Sequence, residues 1–294
     1  MVVEITASHE ARVGELLVRR ALPRRGRRAI GAWCFTDHLG PTRVTPARGA
    51  DVGPHPHMGL QTVTWLVEGE HLHRDSLGSE QLLRAGELNL MTAGWGVAHS
   101  EEAASRYAGA LHGIQLWIAQ PEHTRNGPAA FEHWIELPRF ELTGGVATLL
   151  VGEHTGVVSP ATVATPLIGM ELQLTAGVHL PLSPSFEHGL VVLEGAVLVD
   201  GAVLTAGHLG YLPPGRDELT ISVSTSTRMM LLGGEPLDEP VHMWWNFVGR
   251  NRTEFVEAYN SWTTDDGRFG TVQSPLARVL TTPPPSMAFR PFRD

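Results

Sequence analysis

The feature that most restricts what this chain can fold into is a repeat of turn glycines. Val67-Glu68-Gly69, followed by Ala85-Gly86 and then Gly94, recurs as Leu193-Glu194-Gly195, followed by Ala206-Gly207 and then Gly215. The triplets are 126 residues apart, and the two later glycine pairs are each 121 apart. Glycine at such positions marks backbone that turns with positive φ or passes close to a neighbour. Near-constant spacing therefore predicts two copies of one small architecture, with a boundary near residue 140.

Between the glycines lie short apolar or alternating stretches at 61–67, 82–91, 114–119, 167–174, 190–199 and 229–232. Gly, Pro and Asp-Gly signals separate them, the rhythm of an all-β sandwich or barrel. In the first stretch Val63, Trp65 and Val67 fall on one face and Thr62 and Thr64 on the other, which predicts a half-buried strand. Asn251 with Glu254 three residues on reads as a capping box, and Phe255, Val256, Tyr259 and Trp262 recur at helical spacing. A short C-terminal helix docked by that stripe is expected, with Pro283-Pro284-Pro285 extended beyond it.

Composition narrows the chemistry. The 294 residues are enough for two domains with separate cores, and no apolar run is long enough to span a bilayer. No membrane association is expected, and the absence of an export signal predicts a cytoplasmic protein. The net charge of −9 argues against nucleic-acid binding, and the basic cluster Arg19, Arg20, Arg24, Arg25, Arg27 and Arg28 reads as a solvated loop. A single cysteine, Cys34, rules out an internal disulfide framework and a thiolate-rich zinc site. Flanked by Trp33 and Phe35, it reads as a small buried residue. Imidazole and carboxylate remain as metal ligands.

Six of the fifteen histidines lie between His55 and His112. Residues two apart on a strand point to the same face, so His55 and His57 can aim both rings into one barrel mouth. His99 and Glu101 repeat the spacing. Two such pairs on neighbouring strands would bring three imidazoles and one carboxylate to one metal ion. That donor set suits iron, manganese, nickel, copper or zinc, and a thiolate-free, partly open site favours Fe(II) with oxygen chemistry. The second copy offers an internal control. Shifting His99 and Glu101 by 121 lands on Thr220 and Ser222, and shifting His55 and His57 by 126 lands on Pro181 and Ser183. No imidazole pair survives, so that copy is expected to bind no metal. His71 and His73 read as hydrogen-bonding residues that orient ligands, with Asp37, His38 and Gln115 as further candidates for that outer layer.

These residues resemble the pirin family of the cupin superfamily. The resemblance rests on His55-Pro56-His57 with Gly59, on the run from His73 to Gly78, on Met91-Thr92-Ala93-Gly94, and on His99-Ser100-Glu101. It extends from about Ala29 to the Trp244-Trp245-Asn246-Phe247 region. It implies a bicupin, two packed jelly-roll-like β-barrels, with a metal-binding barrel in 1–140 and a metal-free barrel, helix and tail in 141–294. It also implies one mononuclear metal, Fe(II) or another divalent ion, on His55, His57, His99 and Glu101. Gln61 stands where many cupins place a carboxylate ligand. The activity implied is a quercetin 2,3-dioxygenase-type reaction on a flavonol or related phenol, in which Glu101 would take the substrate proton. An iron-dependent redox sensor that contacts a protein partner, and a metal-stabilised structural module, are the other readings the family allows.

Overall fold

The computed structural model describes residues 2–45, 49, 51–104 and 107–285. The chain divides into two compact units, which are not the consecutive halves 1–140 and 141–294. One gathers Met1–Glu10, Arg19–His38 and Glu136–Asp238; the other gathers Ala11–Val18, Leu39–Ile135 and Glu239–Asp294. The helix and the tail therefore pack with the earlier copy rather than the later one. Residues 286–294 of the expected second domain lie outside the described residues.

The strands around the histidine cluster are β1 Val52–His57, β2 Leu60–Glu68, β3 Glu70–Asp75, β4 Glu80–Arg84, β5 Leu88–Thr92, β6 Val97–Ala103, β7 Gly109–Ala119 and β8 Ala130–Trp134. Hydrogen bonding orders them as β1-β6-β3-β4 in one sheet and β8-β5-β2-β7 in the other. The second unit repeats this plan with β9 Gly145–His154, β10 Leu167–Leu174, β11 Val178–Pro181, β12 Glu187–Glu194, β13 Ala196–Val199, β14 Ala202–Thr205, β15 His208–Leu212, β16 Glu218–Val223 and β17 Thr227–Gly234. Its sheets run β11-β16-β13-β14 and β15-β12-β17-β10-β9. The all-β expectation holds, and among the described residues one helix, α1 Arg252–Thr264, follows the strands.

Two expected stretches are each split by a glycine. The 82–91 run breaks between β4 and β5 where Gly86 has φ +81, and the 190–199 run breaks between β12 and β13 where Gly195 has φ +79. Apolar content continues across a tight turn, so periodicity alone cannot show the break. The strand over 61–67 is buried on both faces, Thr62 at 3% exposure and Thr64 at 7%, rather than on one. Thr64 satisfies its hydroxyl by donating to Gln115 Oε1 at 2.7 Å.

The second unit has an aliphatic interior between its two sheets. Val178, Leu180, Val197, Val199, Leu219 and Ile221 from one sheet meet Leu149, Met170, Leu172, Leu190, Val192, Met229 and Leu231 from the other. Each fully buried side chain of this kind stabilises by roughly 1.5–3 kcal/mol. In the histidine-bearing unit, α1 buries Phe255, Ala258 and Trp262 against Met58, Ala98, Phe247 and Phe269. Its N-cap is the expected one, because the Asn251 side chain accepts from Glu254 N at 3.2 Å. Cys34 is buried. The basic cluster is partnered rather than merely solvated: Arg20 clamps Asp37 through two hydrogen bonds of 2.7 Å, and Arg27 lies 3.3 Å over the Tyr211 ring. Among the described residues no helix is long and apolar enough to cross a membrane.

Candidate metal centre

Pairing of β6 with β1 places His99 opposite His55 and Val97 opposite His57. Opposed residues share a face, so the two loops of chain deliver three imidazoles to one point. One ligand atom from each of His55, His57 and His99 lies within 4.8 Å of the other two, and all three residues are buried. The Nε2 atoms of His57 and His99 are 3.0 Å apart. Trp117 meets the His57 ring edge-on at 5.1 Å.

Hydrogen bonds on the far side of the His55 and His99 rings fix which nitrogen of each is bare. A carbonyl can only accept, so His55 Nδ1 donates to Gly53 O at 2.9 Å and leaves Nε2 with its lone pair. A longer chain orders His99. The Asp75 carboxylate accepts from Leu77 N at 2.9 Å and Ser79 N at 3.0 Å on one oxygen, and from His73 Nε2 at 3.0 Å on the other. With Nε2 donating to Asp75, His73 turns Nδ1 toward His99 Nδ1 at 3.3 Å, and a proton donated by His99 across that contact leaves the His99 Nε2 lone pair facing His57. Phe131 stacks on His73 at 4.4 Å and 13° and holds that ring flat. Burial works to raise the Asp75 pKa, but the hydrogen bonds from His73 and Ser79 outweigh it and lower the pKa below its ordinary value.

Burial also keeps the three imidazoles neutral. It pulls His55 down to about 4, against a smaller upward influence from the Gly53 carbonyl. It lowers His57 and His99 well below the ordinary value, with neighbouring imidazoles adding to the effect. Neutral rings are the form that binds metal. Imidazole nitrogens that converge in a buried site, bare on His55 and His99, are complemented by a cation. The residues present therefore fit a single metal ion.

Glu101 does not join the group of three. It is half-buried two residues beyond His99, opposite His73 on β3, and the pairing with β1 slips between His99 and Glu101. Glu102 is turned to other work, accepting from Ser100, Ser274 and Arg74. Gln61, at the position of the usual cupin carboxylate, donates to Thr92 Oγ1 at 2.8 Å. Of the expected outer residues, His73 bonds a candidate ligand directly, while Gln115 is taken by Thr64. Asp37 is held by Arg20, and it and His38 belong to the other unit. Asp75 was the residue missed in the sequence, although its spacing of two from His73 was the available signal.

Comparison with known proteins gives a consistent result. The Pirin family model matches residues 15–118, and the Pirin C-terminal cupin domain model matches 168–270. The chain is 45% identical to a Pseudomonas aeruginosa protein named as a candidate quercetin 2,3-dioxygenase, over 92% of this chain and 86% of that protein. It is 37% identical to a Caulobacter vibrioides pirin-like protein over 85% of this chain and 89% of that one. A crystal structure titled as quercetin 2,3-dioxygenase from Acinetobacter baumannii superposes with a TM-score of 0.96 at 42% identity, covering 99% of this chain and 98% of that chain.

Proposed function

Since the chain belongs to the pirin family of bicupin proteins, we propose that it is an Fe(II)-dependent dioxygenase acting on a flavonol or a related phenol. The observation that carries this reading is the buried trio of His55, His57 and His99, with the His55 and His99 tautomers set by hydrogen bonds. The names of the Pseudomonas and Acinetobacter relatives support the substrate class.

His55, His57 and His99 would hold the metal, with Glu101 as the fourth ligand. When bound, an iron ion there supplies Lewis acidity toward a phenolic oxygen and electrons for oxygen chemistry. The residues of the chain do the rest. His73 and Asp75 keep His99 in the ligand tautomer. Trp117, edge-on to His57, and Phe131, stacked on His73, put apolar rings beside the imidazoles, which would suit a planar substrate. Glu101, on the same face as His99, takes the phenolic proton as general base.

Oxygen uptake by anaerobically Fe(II)-loaded protein with quercetin tests the reading, with metal content measured on every sample. Repeated turnover is expected, and its absence in protein holding one iron per chain would overturn the dioxygenase assignment in favour of a regulatory binding role. Replacing Glu101 by Gln should lower turnover by about 10²-fold or more. Full turnover in Glu101→Gln with metal retained would remove the general-base step while leaving the histidine site intact.

A further inference from the structure

We propose that the unit without the imidazole trio has a binding site of its own, for a small, uncharged aromatic molecule bearing a hydroxyl group. It rests on a cavity of about 690 Å³ lying wholly within that unit. The volume falls inside the range of roughly 300–1,000 Å³ typical of small-molecule sites. The cavity opens beside the end of β9, and its walls include His154, Val158, Leu167, Leu182 and Phe186, with Glu153 beside His154.

The chemistry of these walls selects the ligand. His154 is only 8% exposed, and one face of its ring is backed by Phe140 at 5.8 Å and 16°. Burial lowers its pKa, and its ring makes no hydrogen bond among the described residues. The ring is therefore neutral, and its nitrogens remain for a ligand that can both donate and accept a hydrogen bond. A hydroxyl does both. Thr165, on the same wall, has a buried Oγ1 with no hydrogen-bond partner among the described residues. Buried polar groups are ordinarily matched.

The remaining walls set the hydroxyls of Thr155, Ser159, Thr162, Thr165 and Ser183 among apolar side chains, and Val158 stands 63% exposed, an apolar group left open to water. Phe186 offers an aromatic surface to a flat ring. No lysine or arginine lines the cavity, and its charged wall residue is Glu153. An anion would meet a carboxylate and no cation, so the uncharged form of an aromatic alcohol is the better fit. None of this depends on which metal, or which reaction, the histidine trio supports.

Isothermal titration of the full chain with 1-naphthol as the probe tests the site, with His57→Ala, His154→Ala and Ser183→Trp run alongside. Ser183 lies at the half-exposed edge of the cavity, so Trp there obstructs it without opening the core. Binding of one probe per chain is expected, unchanged in His57→Ala. It should weaken by about fivefold or more in His154→Ala, the scale of one hydrogen bond, and be lost in Ser183→Trp. Naphthalene-2-sulfonate should bind more weakly than the alcohol. Binding that survives Ser183→Trp, or that disappears in His57→Ala, would overturn the site. So would the absence of binding at millimolar probe. A sulfonate that binds as tightly as the alcohol would overturn the ligand class.

Discussion

In the histidine-bearing unit, β6 sets His99 opposite His55 and Asp75, and Glu101 opposite His73. In the other unit the matching strand, β16, sets Leu219 opposite Leu180 and Val223 opposite Val197. Aligning the two at Gly69 and Gly195 carries His71 and His73 onto Val197 and Val199. The cross-strand pairs then carry His99 onto Leu219, Glu101 onto Ile221 and His55 onto Leu180. This corrects the register read from sequence spacing, which gave Thr220, Ser222 and Pro181, positions one residue off. A slip of one residue exchanges the two faces of a strand, so exposed polar side chains were compared with buried ones. The corrected register changes which side chains are compared with the imidazoles. Each matched position is aliphatic core.

The same backbone plan thus tolerates two interiors of opposite chemistry. One contributes stability through apolar burial. The other gives up that contribution and uses hydrogen bonds, from His55 to the Gly53 carbonyl and through the His99, His73 and Asp75 chain, to keep the imidazoles aimed.

Mutations can break the contrast. His57→Ala should abolish stoichiometric metal binding and quercetin-dependent oxygen uptake together, a loss of more than about 10³-fold in turnover because the chemistry depends on the ion. Metal analysis and an oxygen electrode check it, and a variant still holding one metal would show that the trio is not the site. Leu219→Ala, at the position matching His99, should leave metal binding untouched and destabilise by about 2–5 kcal/mol by opening a cavity in a packed core. Urea unfolding measures that loss.

The pH dependence separates the units less sharply. His188 is lowered to about 4, chiefly by burial, with His154 and Arg216 adding to it. The unfolded chain then binds the extra proton between the ordinary histidine value and about 4, so stability is lost as pH falls through that window. The whole shift amounts to at most about 3 kcal/mol. Replacing His188 by Gln should flatten the acid limb of a stability-against-pH curve, and an unchanged slope would exclude His188 as its source. The smallest effect should come from His73→Ala, which removes the tautomer lock without removing a ligand. Metal affinity should fall by about 10–100-fold, the usual scale for such outer partners. Competition with a chelator reads it.

Much of this was legible locally. Period-two alternation, turn glycines and the Asn251 cap each depend on residues a few positions apart, and those elements formed as expected. His55 with His57, and His99 with Glu101, were also visible as same-face pairs, because strand geometry alone sets that relation. The split at Gly86 and the double-sided burial of Thr62 and Thr64 were not, since both follow from which strands lie alongside.

The sequence by itself therefore determined the strands, the cap and the imidazole pairs, which are consequences of short-range periodicity, and the two copies, through turn glycines that recur 121–126 residues apart. Only the tertiary structure decided that His99 faces His55, that Asp75 reaches His99 through His73, and that Leu219 rather than Thr220 is the counterpart of His99. It also decided that α1 packs with the earlier copy, where Met58 and Ala98 meet Phe255. Those facts are set by cross-strand register and by burial between segments far apart in the chain, and a one-residue change in register reverses which side chains are enclosed.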